Sequence, residues 1–414
     1  MRLVAVPFAS KVHGEEYYRG VLDEFQAHLN SHGVEVLEPV TDIEEAGVLA
    51  KKLGDKVVVP ILLVLTGGSS RIARRFIEVG DFKCSVLLAH GEHNSLASAV
   101  SVRARLDIEG KPTTIFYCEE LGYSCRNAIN EAVTVAHTLS MLLRKRVGVI
   151  GRDDKDDEML DYEMFADSET VPITYEELDT YLKNVDKESV DEVADVLSEK
   201  LGVDGSTITE IARLCAAMHR LVEDKSLNYI TMDCFPYILR RGFTPCIPLA
   251  YLNSIGVVAG CEGDLQALAL MVIARGLTGH SGWIANPSGF ENGRLVLAHC
   301  TAAFDIVQTL RAVPHFESGR PLGIAASFGK DKWTLTSLSY DFMVLGVARA
   351  RMVRSGMLSR NRCRTQAIVD IGNLDKETLL DMVPANHHVL MVADQRARLR
   401  RIAKLLSLEY LEYS

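Results

Sequence analysis

The stretch "AGCEGDLQALALMVIARGLTG", residues 259–279, sets two carboxylates around a glycine where an apolar run gives way to a helical pattern. Glu262 follows the apolar run directly, so it falls at the carboxyl end of a strand, where open α/β sheets place their ligands. A buried carboxylate without a partner is costly, so Glu262 calls for a cation or strong hydrogen-bond donors nearby. It is expected to be a metal ligand and a proton acceptor. Asp264 immediately precedes the helix and is expected mainly to cap it, which is worth roughly 1 kcal/mol.

Three further clusters carry polar chemistry. "WIANPSG" holds Asn286 in a turn, "LVLAHCTA" ends a strand at His299, and "VPANHHVLMVAD" puts His387 and His388 at the start of another. A lone histidine beside an apolar run is more often a hydrogen-bonded structural residue than a ligand. Together, one glutamate and two histidines at strand ends would suit a divalent cation at a domain interface. Sequence spacing does not say whether they converge.

The elements that must position these residues change in character along the chain. In the first part, "RLVAVPF", "VEVLEPV", "KVVVPILLVLTGG", "CSVLLAH" and "TTIFYCE" are strand-length runs alternating with helical patterns such as "YYRGVLDEFQAHLNSHG". That alternation predicts a parallel sheet covered by helices. "LTGGSSRIARRFIE" reads as a tight turn with Ser69 as a helix N-cap, ahead of an anion-binding reading. No GxGxxG or Walker sequence is present, which leaves nucleotide binding without support. A second α/β unit opens at "RVGVIGRDD" and includes "NYITMDCFP" and "GVVAGCEGD". After about residue 280 come short strands divided by Gly, Pro and Lys-Asp turns, the texture of an antiparallel sandwich or barrel. The fold expected is two doubly wound α/β domains, 1–145 and 146–275, followed by a barrel-like antiparallel β domain, 276–414.

Composition bounds the partners. The 414 residues are 48% apolar and 24% charged, with a net charge of −10, so a nucleic-acid groove or an anionic membrane is not expected. Residues 151–200 hold 18 of the 55 acidic residues against 5 basic ones, which reads as a solvated face. The nine cysteines show no CxxC pair. That pattern suggests reduced thiols in a cytoplasmic protein. Neither a signal peptide nor a run long enough to span a bilayer is apparent.

"GVVAGCEGDLQALALMVIARGLTG", "ANPSGFENGRLVLAHC", "PHFESGRPLGIAASFGKDKWTLTSL" and "PANHHVLMVADQRARLRRIAKLLSLEY" resemble, in order and texture, the L-fucose and L-arabinose isomerases. The earlier "NSLASAVSVRARLDIEGKP" is similar to the first domain of the fucose type, so the resemblance covers nearly the whole chain, which is shorter than either enzyme. It implies a divalent metal, Mn²⁺ foremost, with Glu262, His299 and His387 as ligands and His388 as the register alternative. The second acidic ligand of those enzymes falls here on Asn286, an amide that brings no charge and takes up no proton. Glu291, in "GFENG", is the nearest replacement acid. A homo-oligomer, trimer or hexamer, is also implied.

The activity expected is that of an aldose–ketose isomerase, moving a proton between adjacent carbons of a small open-chain sugar through an ene-diol. Asn286 and the short chain keep open an epimerase, lyase or sugar-phosphate reaction on the same scaffold. A sugar-binding protein that has lost its second acid is the other alternative.

Overall fold

A computed structural model describes residues 2–54, 56–122, 125–329, 331–372 and 375–413. The chain divides into two compact units, one formed by Met1–Leu143 with Ala397–Leu408 and the other by Arg144–Arg396 with Glu409–Ser414. The second parallel sheet and the antiparallel strands thus share one unit.

In the first unit the strands are β1 (Leu3–Phe8), β2 (Val34–Val36), β3 (Ile61–Val64), β4 (Ser85–His90) and β5 (Thr113–Cys118). All pair in parallel, in the order β2-β1-β3-β4-β5. Residues of β1, β3 and β4 are buried throughout, the pattern of strands covered on both faces. The basic helix near the C-terminus, Arg396–Leu405, supplies part of this cover. Within the unit, Arg401 lies 4.9 Å over the Phe116 ring and Arg398 pairs with Glu131 at 2.6 Å. Two local expectations are corrected here. The Ser69 hydroxyl makes no cap but donates to the Thr66 carbonyl at 2.7 Å. Cys118 and Cys125 form a disulfide rather than remaining reduced.

The second unit begins with a four-stranded parallel sheet of β6 (Arg146–Ile150), β7 (Glu169–Ile173), β8 (Tyr229–Met232) and β9 (Ala259–Cys261), in the order β7-β6-β8-β9. Much of the acidic excess sits at helix starts. Asp156 caps Asp157–Ala166 by accepting from Met159 N–H, and Asp186 caps Lys187–Leu201 by accepting from Ser189 N–H. Gly260 allows β9 to pack beside β8, because a Cβ there would lie 2.9 Å from the Thr231 hydroxyl.

The remaining strands are β10 (Trp283–Glu291), β11 (Arg294–His299), β12 (Thr309–Val313), β13 (Gly323–Ser327), β14 (Lys332–Leu338), β15 (Val344–Gly356), β16 (Thr365–Asp370), β17 (His388–Val392) and β18 (Glu409–Glu412). Six of them close an antiparallel barrel in the cyclic order β14-β17-β10-β11-β16-β15, with β18 added in parallel to β15 and β12–β13 as a separate hairpin. Trp283 and Trp333, both buried, pack against Phe328 inside the barrel core. Trp283 Nε1 donates to Thr301 O at 2.9 Å, the partner a buried indole needs. This fold class is the one expected from sequence. No helix among the described residues is long and apolar enough to cross a membrane.

Candidate metal centre

Glu262 leaves β9 with a φ of 61°, followed by Gly263 at 71°. Left-handed backbone is unfavourable for a non-glycine residue, and here it turns the chain sharply between strand and helix. The turn is held by the Gly263 N–H, which donates to Met232 O at 2.9 Å. Asp264 then caps the helix Leu265–Thr278, accepting from the Ala267 N–H at 2.5 Å.

The barrel brings the other residues to this turn. His299 is the last residue of β11, and Ala285 of β10 stands opposite His388 of β17. His387 therefore lies just before β17, and Ser337 holds its segment by donating to the carbonyls of Ala385 and His387.

Glu262, His299 and His387 converge. His299 Nε2 is 3.5 Å from one Glu262 carboxylate oxygen, and His387 Nε2 is 3.5 Å from the other. One ligand atom from each residue lies within 4.8 Å of the other two, a group that could hold a metal ion. For donors about 2.0–2.2 Å from one cation, separations up to about 4.4 Å are geometrically available, so a small inward movement completes such a set.

The protonation pattern favours a cation. His387 Nδ1 lies 2.7 Å from Asp264 Oδ2. A carboxylate only accepts, so Nδ1 carries a proton, and Nε2, which faces Glu262, presents a lone pair whenever the ring is neutral. Nε2 of His387 and both ring nitrogens of His299 are buried without a hydrogen-bond partner among the described residues. Such orphaned groups facing a carboxylate are costly unless something positive lies between them.

The titration of these groups is shifted accordingly. Burial pushes the Glu262 carboxyl up, yet the His299 ring 3.5 Å away, with His387 and His315, outweighs it and holds it below its ordinary value. Burial pushes the His387 ring down, but Asp264 more than offsets this and raises it.

The other candidates are not part of this three-residue group. Asn286 lines the same cavity as Glu262 and His299, but its Oδ1 accepts from Asn386 Nδ2 at 2.8 Å. His388 is fully buried, bonds Asn386 O through Nδ1 at 3.0 Å, and is pushed by burial down to about 4. It does not join the three-residue group. Glu291 pairs with Arg354 at 3.1 Å on an exposed part of the barrel. At about 3.3 Å per residue, five strand residues separate it from Asn286 by roughly 16 Å.

The geometry adds residues that sequence reasoning missed. Asp264 both caps a helix and orients His387, a pairing that fixes the tautomer of a metal-binding histidine. Asn386, Tyr340 and Gln266 form a chain on the same side: Gln266 Nε2 donates to Tyr340 O, and the Tyr340 hydroxyl accepts from the Asn386 N–H. With Glu158 and Asp161 they line a polar cavity that also reaches Glu262, Asp264 and His387. Across Glu262 lies a second cavity of about 210 Å³, walled by Cys234, Cys246, Cys261, Cys300 and Cys363 together with His315. The Asn-His and Glu-Gly-Asp segments were visible signals for part of this set. The thiols carried none, because their spacing is irregular.

No family model matches the chain, and a search of curated proteins returns no relative.

Proposed function

We propose that the protein is a divalent-metal-dependent aldose–ketose isomerase acting on a small open-chain sugar, with Mn²⁺ as the cation. The observation that carries the reading is the convergence of Glu262, His299 and His387 with three orphaned imidazole nitrogens. The sequence resemblance to L-fucose and L-arabinose isomerases supports the same assignment, and with it a homo-oligomer, trimer or hexamer.

When bound, such a cation polarises the carbonyl and hydroxyl oxygens of the substrate and stabilises charge that develops on them. The chain's own residues do the rest. Glu262, His299 and His387 would hold the cation, and Asp264 would keep His387 in the tautomer that can do so. Glu262, low in pKa and at the junction of both cavities, takes the carbon-bound proton and returns it to the neighbouring carbon. The amides of Asn286 and Asn386 and the hydroxyl of Tyr340 offer partners to sugar hydroxyls. Glu158 and Asp161 extend that polar wall.

A second reading, an epimerase or lyase on the same scaffold or a sugar-binding protein without turnover, is favoured by one observation. Asn286 stands where the resemblance places a second acid, and its oxygen is engaged by Asn386. A panel of aldoses and ketoses incubated with Mn²⁺-loaded protein in D₂O separates these readings. Isomerisation with deuterium entering at the carbon next to the carbonyl supports the first. Epimers or cleavage products support the scaffold variant, and saturable binding without exchange supports the binding protein.

A further inference from the structure

Of the nine cysteines, five line one of the cavities beside Glu262. Among them, Cys234 Sγ and Cys261 Sγ are 2.9 Å apart. Both are free thiols, only 3% and 4% exposed, yet both face the cavity. The backbone keeps them together. β8 and β9 pair with Met232 opposite Cys261, and Cys234 begins the helix Cys234–Arg241 two residues after β8 ends. Parallel pairing, rather than the adaptable tip of a loop, fixes the distance between the two sulfurs.

We propose that Cys234 and Cys261 are a disulfide-forming modification site in the cavity wall, oxidised by a low-molecular-weight disulfide that enters the cavity. One sulfur, as thiolate, attacks a sulfur of the small disulfide. An S–S bond forms to the protein, the reagent's own S–S bond breaks, and one small thiol leaves. The second protein thiolate then attacks the protein-bound sulfur, closing Cys234–Cys261 and expelling the other small thiol. Two protein thiols lose two electrons and two protons, and the reagent gains them as two thiols.

Closure brings the sulfurs from 2.9 Å to about 2.05 Å, a movement of under about 1 Å. The cross-link ties the end of β9, one residue before Glu262, to the first turn of the neighbouring helix. In a reducing compartment, protein disulfides of this kind are transient and redox-sensing. The inference stands independently of the metal and sugar readings, because it needs neither ligand.

The test uses the intact, folded chain incubated with bis(2-hydroxyethyl) disulfide. Remaining thiols are alkylated under denaturing conditions, and the digest is mapped by mass spectrometry. The expected result is a cross-linked peptide pair joining Cys234 to Cys261, reversed by a reductant, while Cys84 and Cys215, buried in the cores away from this cavity, stay alkylated. In Cys234→Ser, Cys261 is expected to be trapped as the mixed hydroxyethyl disulfide. If that variant does not fold, the wild-type map decides alone. Recovery of Cys234 and Cys261 as separate alkylated thiols, or a cross-link joining Cys300 to Cys363 in their place, overturns the proposal.

Discussion

Asp264 divides its carboxylate between two tasks: one oxygen accepts the Ala267 N–H at 2.5 Å, and the other lies 2.7 Å from His387 Nδ1. The cap expected from sequence is present, and the same side chain reaches a histidine 123 positions along the chain. The two tasks can be separated by substitution.

In Asp264→Asn the side-chain oxygen still caps, since Asn is as good an N-cap as Asp. The charge that orients His387 is gone, and loss of such a partner costs about 10–100-fold in metal affinity. The expected outcome is a clear loss of Mn²⁺ affinity by calorimetry, with a small fall in apo melting temperature from the lost His387 partner. Asp264→Ala adds the loss of the cap, about 0.5–2 kcal/mol, and lowers that temperature as well. Equal affinity in wild type and Asp264→Asn would contradict the orienting role.

Metal affinity is expected to fall on acidification. The His387 pKa is raised in the folded chain, Asp264 outweighing burial, so protons compete for its ring from above the ordinary histidine value of about 6.5. The same shift gives the apo protein a stabilising term of opposite sense. That term is fully present below the unfolded pKa and lost as pH rises through the folded one. Mn²⁺ titrations between pH 5 and 8 should therefore show affinity rising with pH. An affinity that stays flat across that range would count against histidine ligation.

Glu291→Gln should be silent. Its partner is an exposed arginine, Arg354, and exposed ion pairs are worth about 0–1 kcal/mol. Mn²⁺ affinity should match wild type within about two-fold, roughly the effect of a 0.4 kcal/mol change. A large loss would instead restore Glu291 as a replacement acid.

Trp283→Ala serves as a core control. The indole is 1% exposed and satisfied by Thr301 O, so truncation should cost about 3–5 kcal/mol. Denaturant unfolding reads this directly, and a cost below about 1 kcal/mol would contradict the closed, well-packed barrel.

Much of the fold was legible because the relevant signals are local. Fully apolar runs such as "LVAVPF" mark strands covered on both faces, and the change to short strands with Lys-Asp turns after residue 280 marks the barrel. Local chemistry misled where a side chain had two possible partners. The Ser69 hydroxyl turned back to Thr66 instead of capping, and Cys118 found Cys125 without a recognisable spacing motif. In the site, Glu262 was legible from its strand-end position, and His299 and His387 came from the resemblance and from strand ends. The Asp264–His387 contact and the Cys234–Cys261 contact were not. Both depend on register between elements distant in sequence, which no local pattern encodes.

The central claim is that Glu262, His299 and His387 hold one divalent cation. Calorimetric titration of the metal-free chain with Mn²⁺, repeated on Glu262→Gln, His299→Ala and His387→Ala, tests it most directly. The account predicts one Mn²⁺ per wild-type chain, and loss of binding in each variant while circular dichroism reports an intact fold. No saturable binding of Mn²⁺ to the wild-type chain, or undiminished binding in all three variants, would contradict it.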